Sequence, residues 1–187
     1  MAREHSNSKT MTPVDSKSNL TDLSATLGRY AAQMSSLVKS QFSDMGDCHS
    51  ASAALRRVLR DDGHHSARLV ECCVLSGNNE RLTNLCGELG VGVPAGHSVV
   101  LVSGYLIDPT AGQFRNETVR IPDYLVLPPD VALSLLQDNR HWLESAGESP
   151  RVHRQKSAEH DFQIAYVPTS ESFRLPATWP PSPQSEG

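Results

Sequence analysis

Apolar residues recur along this chain with two periods, and the change of period marks its elements. Between residues 21 and 40, Leu23, Leu27, Tyr30 or Ala31, Met34, and Leu37 or Val38 fall at helical spacing behind Thr21, a fitting N-cap. Residues 41–47, QFSDMGD, gather Ser, Asp and Gly into a loop. A second helix is predicted over 48–62. Ala51, Ala54, Leu55, Val58 and Leu59 form its stripe, Asp47 is its N-cap, and Gly63 stands where a C′ glycine belongs. β-branched residues then favour a strand over 66–75, ended by Ser76, Gly77, Asn78 and Asn79. Leu82, Leu85, Cys86 and Leu89 return to helical spacing and predict a short helix over 80–89.

The period drops to two in GHSVVLVSGYLIDPTAGQF, residues 96–114. Residues 97–102 and 105–108 read as strands joined by the turn dipeptide Ser103–Gly104. A two-residue loop pairs Val102 with Tyr105, Leu101 with Leu106, Val99 with Asp108 and His97 with Thr110. His97 and Asp108 then share a face as diagonal neighbours, roughly 7 Å apart at the backbone. Further on, a short strand is expected around Leu125, a helix over 131–146 after Pro128 and Pro129, a polar loop over 147–159, and a last strand over 161–167.

These elements predict one α+β domain over residues 21–167, with a mostly antiparallel sheet and the second helix packed against it. Residues 1–20 hold almost no large apolar side chains and read as a flexible arm; residues 168–187, rich in Pro and Ser, read as a disordered tail.

Charge and cysteine content narrow the function. A net charge of -4 over 187 residues gives no general attraction to nucleic acid or anionic membrane. Arg56, Arg57 and Arg60 are followed at once by Asp61 and Asp62 and read as a solvated helix face. No apolar run reaches membrane-spanning length, and the first residues lack an apolar signal core. A cytoplasmic location is expected, or effector-like secretion without a conventional signal peptide. The 4 cysteines, Cys48, Cys72, Cys73 and Cys86, show no CxxC spacing. The adjacent pairs Cys48–His49, His64–His65 and Cys72–Cys73 suit zinc poorly, since neighbours on a strand face opposite ways. No metal site and no cofactor are expected. Cys72, Cys73 and Cys86 read as small buried hydrophobes.

Cys48 differs. It combines a loop, a helix start and a distant His-Asp pair. A helix N-terminus favours the thiolate, though Asp47 opposes it in part. With His97 as base and Asp108 as orienter, Cys48 as nucleophile completes a Cys-His-Asp set. His49 projects about 100° away around the helix and makes a poor base. Gln113 is a candidate oxyanion or substrate side chain, beside the backbone N–H of Cys48.

The segment CHSASAALRRVLRDDGHHSARLV resembles the Cys-helix-Gly-strand unit of transglutaminase-like cysteine enzymes, and GHSVVLVSGYLIDPT resembles their His-strand-turn-strand-Asp unit, including its DPT ending. The same ground plan runs through papain-like enzymes. The likeness covers residues 41–114. Val99 stands where many transglutaminase-like sequences carry an aromatic residue, and a large insert separates Val70 from His97. The resemblance implies a papain/transglutaminase-like fold and carries nucleophile, base and orienter onto Cys48, His97 and Asp108; papain-like enzymes use a Gln shortly before the Cys, which makes Gln41, seven residues upstream, a candidate oxyanion or substrate side chain. The expected activity is that of a cysteine-dependent hydrolase or acyltransferase on peptide or side-chain amides, working through a thioester. Peptidase, amidase, deamidase, transglutaminase and acetyltransferase share that intermediate. The expected partner is a protein or peptide substrate, or a small amide. The alternative is a non-catalytic binding module of the same fold.

Overall fold

The structure, a computed structural model, describes residues 16–41, 48–78, 82–84, 96–140, 142 and 149–169. Helix α1 spans Ser16–Gln41 and helix α2 Cys48–Asp61. The strands follow as β1 (Arg68–Gly77), β2 (Leu82–Asn84), β3 (His97–Val102) and β4 (Tyr105–Asp108). A 3-10 turn at Ala111–Phe114 leads on to β5 (Leu125–Leu127), helix α3 (Pro129–Asp138), β6 (His153–Lys156) and β7 (Asp161–Pro168). The class is α+β, and every pairing between these strands is antiparallel.

The main sheet runs β5-β4-β3-β1-β7-β6, with β2 attached to β1. β1 is the spine. Its first half pairs with β3, from Arg68↔Leu101 to Cys72↔His97. Its second half pairs with β7, from Cys72↔Pro168 to Gly77↔Gln163. Past Cys72 the edge that β3 has not reached is taken by β2, with Leu75↔Asn84 and Gly77↔Leu82. This corrects two expectations. β1 continues through Ser76 and Gly77, and residues 82–84 are strand, because an open edge supplies ladder partners that outweigh a helical spacing. The rest of the expected 80–89 helix, Cys86 included, lies outside the described residues.

One face of the sheet receives α1 and α2. Leu27, Ala31, Leu55 and Leu59 pack on Val100, Val102, Tyr105 and Ile107. The other face receives α3 and the 3-10 turn, with Ala132, Leu135, Leu136 and Phe114 against Val99, Leu101, Leu106, Ile164 and Tyr166. The period-two alternation of β3 and β4 feeds both cores. α2 ends as expected at Gly63. Its φ is +90°, the His64 N–H reaches the Leu59 carbonyl at 2.8 Å, and the Gly63 N–H reaches that of Arg60 at 3.2 Å, a Schellman closure. Val58, expected in the buried stripe, is exposed.

Three further elements differ from expectation. α1 starts at Ser16, ahead of Thr21 and inside the stretch expected as arm, since polar turns can extend a helix already anchored by its apolar stripe. α3 stops at Asp138 rather than residue 146. The next residue, Asn139, is fully buried and makes three hydrogen bonds: its Nδ2 donates to the Arg151 and Tyr166 carbonyls at 2.8 and 3.2 Å, and its Oδ1 accepts from the Arg151 N–H at 2.6 Å. β6 lies inside the expected polar loop. Its sequence, HRQK, has no apolar residue, yet as an edge strand it needs to satisfy only one neighbour.

The β3–β4 turn is as tight as its sequence indicates. Ser103 and Gly104 both have positive φ, at 47° and 90°, the geometry of a type I′ hairpin. A Cβ on Gly104 would stand 2.9 Å from the Cβ of Pro129 at the start of α3. Gly104→Ala is therefore expected to lower the unfolding free energy by about 1–3 kcal/mol, read from urea midpoints. Adding Pro129→Gly, which removes both the Cβ and the Cγ that the new methyl would meet, should return the steric part of that loss.

Candidate active site

The first turn of α2 is pinned to the start of β3. Ser52 Oγ donates to the Ser98 carbonyl at 2.6 Å, and His49 Nδ1 lies 3.1 Å from Ser98 Oγ. Small residues, Ala51 and Ser52, face the sheet here and let the helix come close. His49 is thus an anchor, turned to Ser98. The docking carries Cys48 to the start of β3. Its Sγ donates to the Gly96 carbonyl oxygen at 3.7 Å and stands beside the His97 side chain. Burial pushes the thiol's pKa up, but the His97 hydrogen bond and charge, with the Ser98 N–H, outweigh it, and the net shift is downward.

His97 belongs to the face of β3 that carries Val99 and Leu101, and it is 4% exposed. Its Nε2 lies 2.9 Å from Oδ2 of Asp108, which has no solvent exposure. The expected register holds through Val102↔Tyr105, Leu101↔Leu106 and Val100↔Ile107. The next pair in that series is Val99 and Asp108, so ring and carboxylate meet as diagonal neighbours. Nε2 is committed to Asp108, which leaves Nδ1 as the ring nitrogen open to other partners.

Asp108 accepts four hydrogen bonds. Oδ1 takes the Thr110 N–H at 3.0 Å and the Thr110 hydroxyl at 3.2 Å; Oδ2 takes His97 Nε2–H and the Tyr166 hydroxyl, each at 2.9 Å. Burial works to raise its pKa. The charge and hydrogen bond of His97, then the Thr110 N–H and the Tyr166 hydroxyl, overcome it and hold the carboxyl below its ordinary value. Burial likewise disfavours the imidazolium, but the charge and hydrogen bond of Asp108, followed by those of Cys48, lift the ring to about 9.

Tyr166 on β7 was not singled out from the sequence. There it reads as one apolar residue in DFQIAYV, and its signal is that a buried tyrosine hydroxyl needs a partner. Its ring stacks beside His97, with centroids 6.4 Å apart and an interplanar angle of 30°. Cys72 of β1 is paired with His97 and shares its face, so a small side chain separates the β3 and β7 residues. Thr110 was likewise missed as a partner of the acid.

Gln113 sits on the 3-10 turn, with Nε2 2.9 Å from His97 Nδ1 and 3.4 Å from Thr110 Oγ1. Phe114 beside it meets the ring edge-on at 5.0 Å. The turn is fastened by Asp123: its carbonyl accepts from the Gly112 N–H at 3.0 Å, and its carboxylate holds Arg115 and Lys39 at 2.7 and 2.6 Å. Gln113 thus joins the three groups at the imidazole. Gln41, the other glutamine of interest, is the exposed last residue of α1. Among the described residues it makes no hydrogen bond with Cys48, His97 or Asp108. Also among the described residues, no cluster of three or more His, Cys, Asp or Glu side chains is placed to hold a metal ion.

No protein-family model matches the chain, and neither do curated proteins or solved structures. The site is therefore read from its own geometry.

Tyr166→Phe tests the support of the acid. Removing a hydrogen bond to a buried charge costs about 1.5–3 kcal/mol. Asp108 has a depressed folded pKa, so its contribution is present above the unfolded value, 3.8, and fades as pH falls through the folded one. The variant should be less stable at pH 7, and the gap should close in urea titrations repeated below pH 3.8.

Proposed function

We propose that this protein is a cysteine-dependent hydrolase or acyltransferase of peptide or side-chain amides, related in plan to transglutaminase-like and papain-like enzymes. One observation carries the reading. A half-buried thiol at a helix start stands beside an imidazole whose Nε2 is held by a buried carboxylate. The antiparallel sheet, with the thiol-bearing helix docked at the start of the His strand, agrees with that plan.

The chemistry follows from the proton positions. A lowered thiol pKa and a raised imidazole pKa together favour thiolate and imidazolium, a property of the pair. The Cys48 thiolate attacks the acyl carbon of a substrate amide, and the carbonyl electrons move onto oxygen. The backbone N–H of Cys48, at the positive end of α2, is a donor for that oxyanion. The tetrahedral species collapses as His97 Nδ1–H passes its proton to the departing nitrogen. An amine or ammonia leaves, and a Cys48 thioester remains. Water, or a second amine, then gives its proton to Nδ1, attacks the thioester and releases acid or new amide. Asp108 stays ionised throughout and holds the ring's Nε2–H. Water as the second nucleophile makes hydrolysis the default outcome.

Iodoacetamide alkylation followed by mass spectrometry gives a direct test. The pH midpoint for Cys48 should lie below that of a free cysteine, and His97→Ala should raise it. With a peptide p-nitrophenyl ester, intact mass should show an acyl adduct that Cys48→Ala abolishes. His97→Ala should slow adduct formation by at least about 100-fold. Turnover of an amide should fall as pH rises through about 9, where the ring loses the proton needed by the leaving group. A Cys48 that alkylates like a free thiol and forms no adduct would return the chain to the binding-module reading.

A further inference from the structure

The hydrogen bonds around His97 close into a ring, and its donors have one consistent order. Asp108 is ionised and only accepts, so the Thr110 hydroxyl spends its single proton on Oδ1. Thr110 Oγ1 can then only accept from Gln113, which directs the amide NH2 of Gln113 towards both Thr110 and His97. That NH2 donates into the lone pair of Nδ1, a lone pair that exists only in the neutral ring carrying its proton on Nε2. Nδ1 is also the atom that must take the Cys48 proton.

We propose that Gln113 is a positioning residue that restrains proton transfer from Cys48: its amide donates to Nδ1 of His97 and weights the thiol–imidazole form until the amide turns away. This deepens the enzyme reading and rests on it. The step is a balanced exchange. The Gln113 N–H···Nδ1 bond breaks, the Cys48 S–H proton moves to Nδ1, and an Nδ1–H···S⁻ contact forms. The freed amide keeps two donors, and an acyl oxygen arriving at the sulfur is an acceptor that rewards its release. Docking of a substrate carbonyl would thereby remove the restraint.

The other groups facing the ring press differently. Asp108 from β4 favours the imidazolium, and so does the Cys48 thiolate from α2. Tyr166 from β7 is bonded to Asp108, Cys72 lies opposite His97 on β1, and His49 is held by Ser98. Gln113 is the neighbour whose contact favours the neutral ring.

The full chain with Gln113→Leu, which keeps bulk but no donor, and with Gln113→Glu, which offers an acceptor to Nδ1–H, gives the test. Two readouts apply: the pH midpoint of Cys48 alkylation, and the ring ¹⁵N shift of His97 Nδ1. Gln113→Leu should lower the midpoint by about 0.7 of a pH unit, a fivefold rise in thiolate on the acid side. Gln113→Glu should lower it further, and in both variants Nδ1 should move towards its protonated shift. A midpoint and an Nδ1 shift matching the parent in both variants overturn the proposal while leaving a low parental midpoint, and the enzyme reading, intact. A parental midpoint like that of a free thiol, with Nδ1 still answering to Gln113, removes the enzyme reading and keeps the Gln113–His97 coupling.

Discussion

A carboxylate sealed from water is the constraint that the rest of the structure obeys. An isolated charge in such a place costs several kcal/mol, and a charged group left short of partners is worse than none. Asp108 is tolerated because four donors reach it, from β3, from β7 and twice from the residue after Pro109. Those donors tie the strand order to the chemistry. β4 and β3 must be hairpin partners for the ring to meet the acid, and β1 must bring β7 close on the same face. The small Cys72 on β1 leaves room for Tyr166 to lean across. Packing and site are therefore one problem. The residues that fill the core around Val99 and Leu106 are the ones that fix the distance from imidazole to carboxylate.

The ring is held between opposing demands. Asp108 and the sulfur draw a proton onto it, while burial and the Gln113 amide resist. A site balanced in this way responds to small displacements of the 3-10 turn. That turn is not free. Asp123 ties it to Arg115, to Lys39 of α1 and, through its carbonyl, to Gly112. Through Lys39, α1 thus helps set the position of the glutamine.

What the sequence made legible was local. Ser103–Gly104 between alternating residues leaves one sensible hairpin, and register follows from turn length, so the meeting of His97 and Asp108 was readable without a structure. The start of the second helix at Cys48 was readable too, because a loop rich in Ser, Asp and Gly gives way there to an apolar stripe of helical period. The parts that escaped are tertiary. β6 carries no apolar residue and exists because β7 offers it an edge. β2 lies where helical spacing was expected because β1 outruns β3. The end of α3 is set by the three bonds of Asn139 to residues far along the chain. Tyr166 belongs to the same group: nothing in DFQIAYV says that its hydroxyl will find a carboxylate 58 positions earlier.

That separation has a consequence in time. A ribosome delivers the hairpin well before β7, so a nascent chain emerged as far as Phe114 already holds the thiol, the imidazole and the acid. It does not yet hold the strand that brings the fourth donor and closes the sheet around the charge. In such a chain water can still reach the carboxylate and screen its grip on the imidazole. The half-made protein accordingly carries an imidazole–carboxylate pair still open to solvent, and the pair is sealed only once synthesis has passed Tyr166.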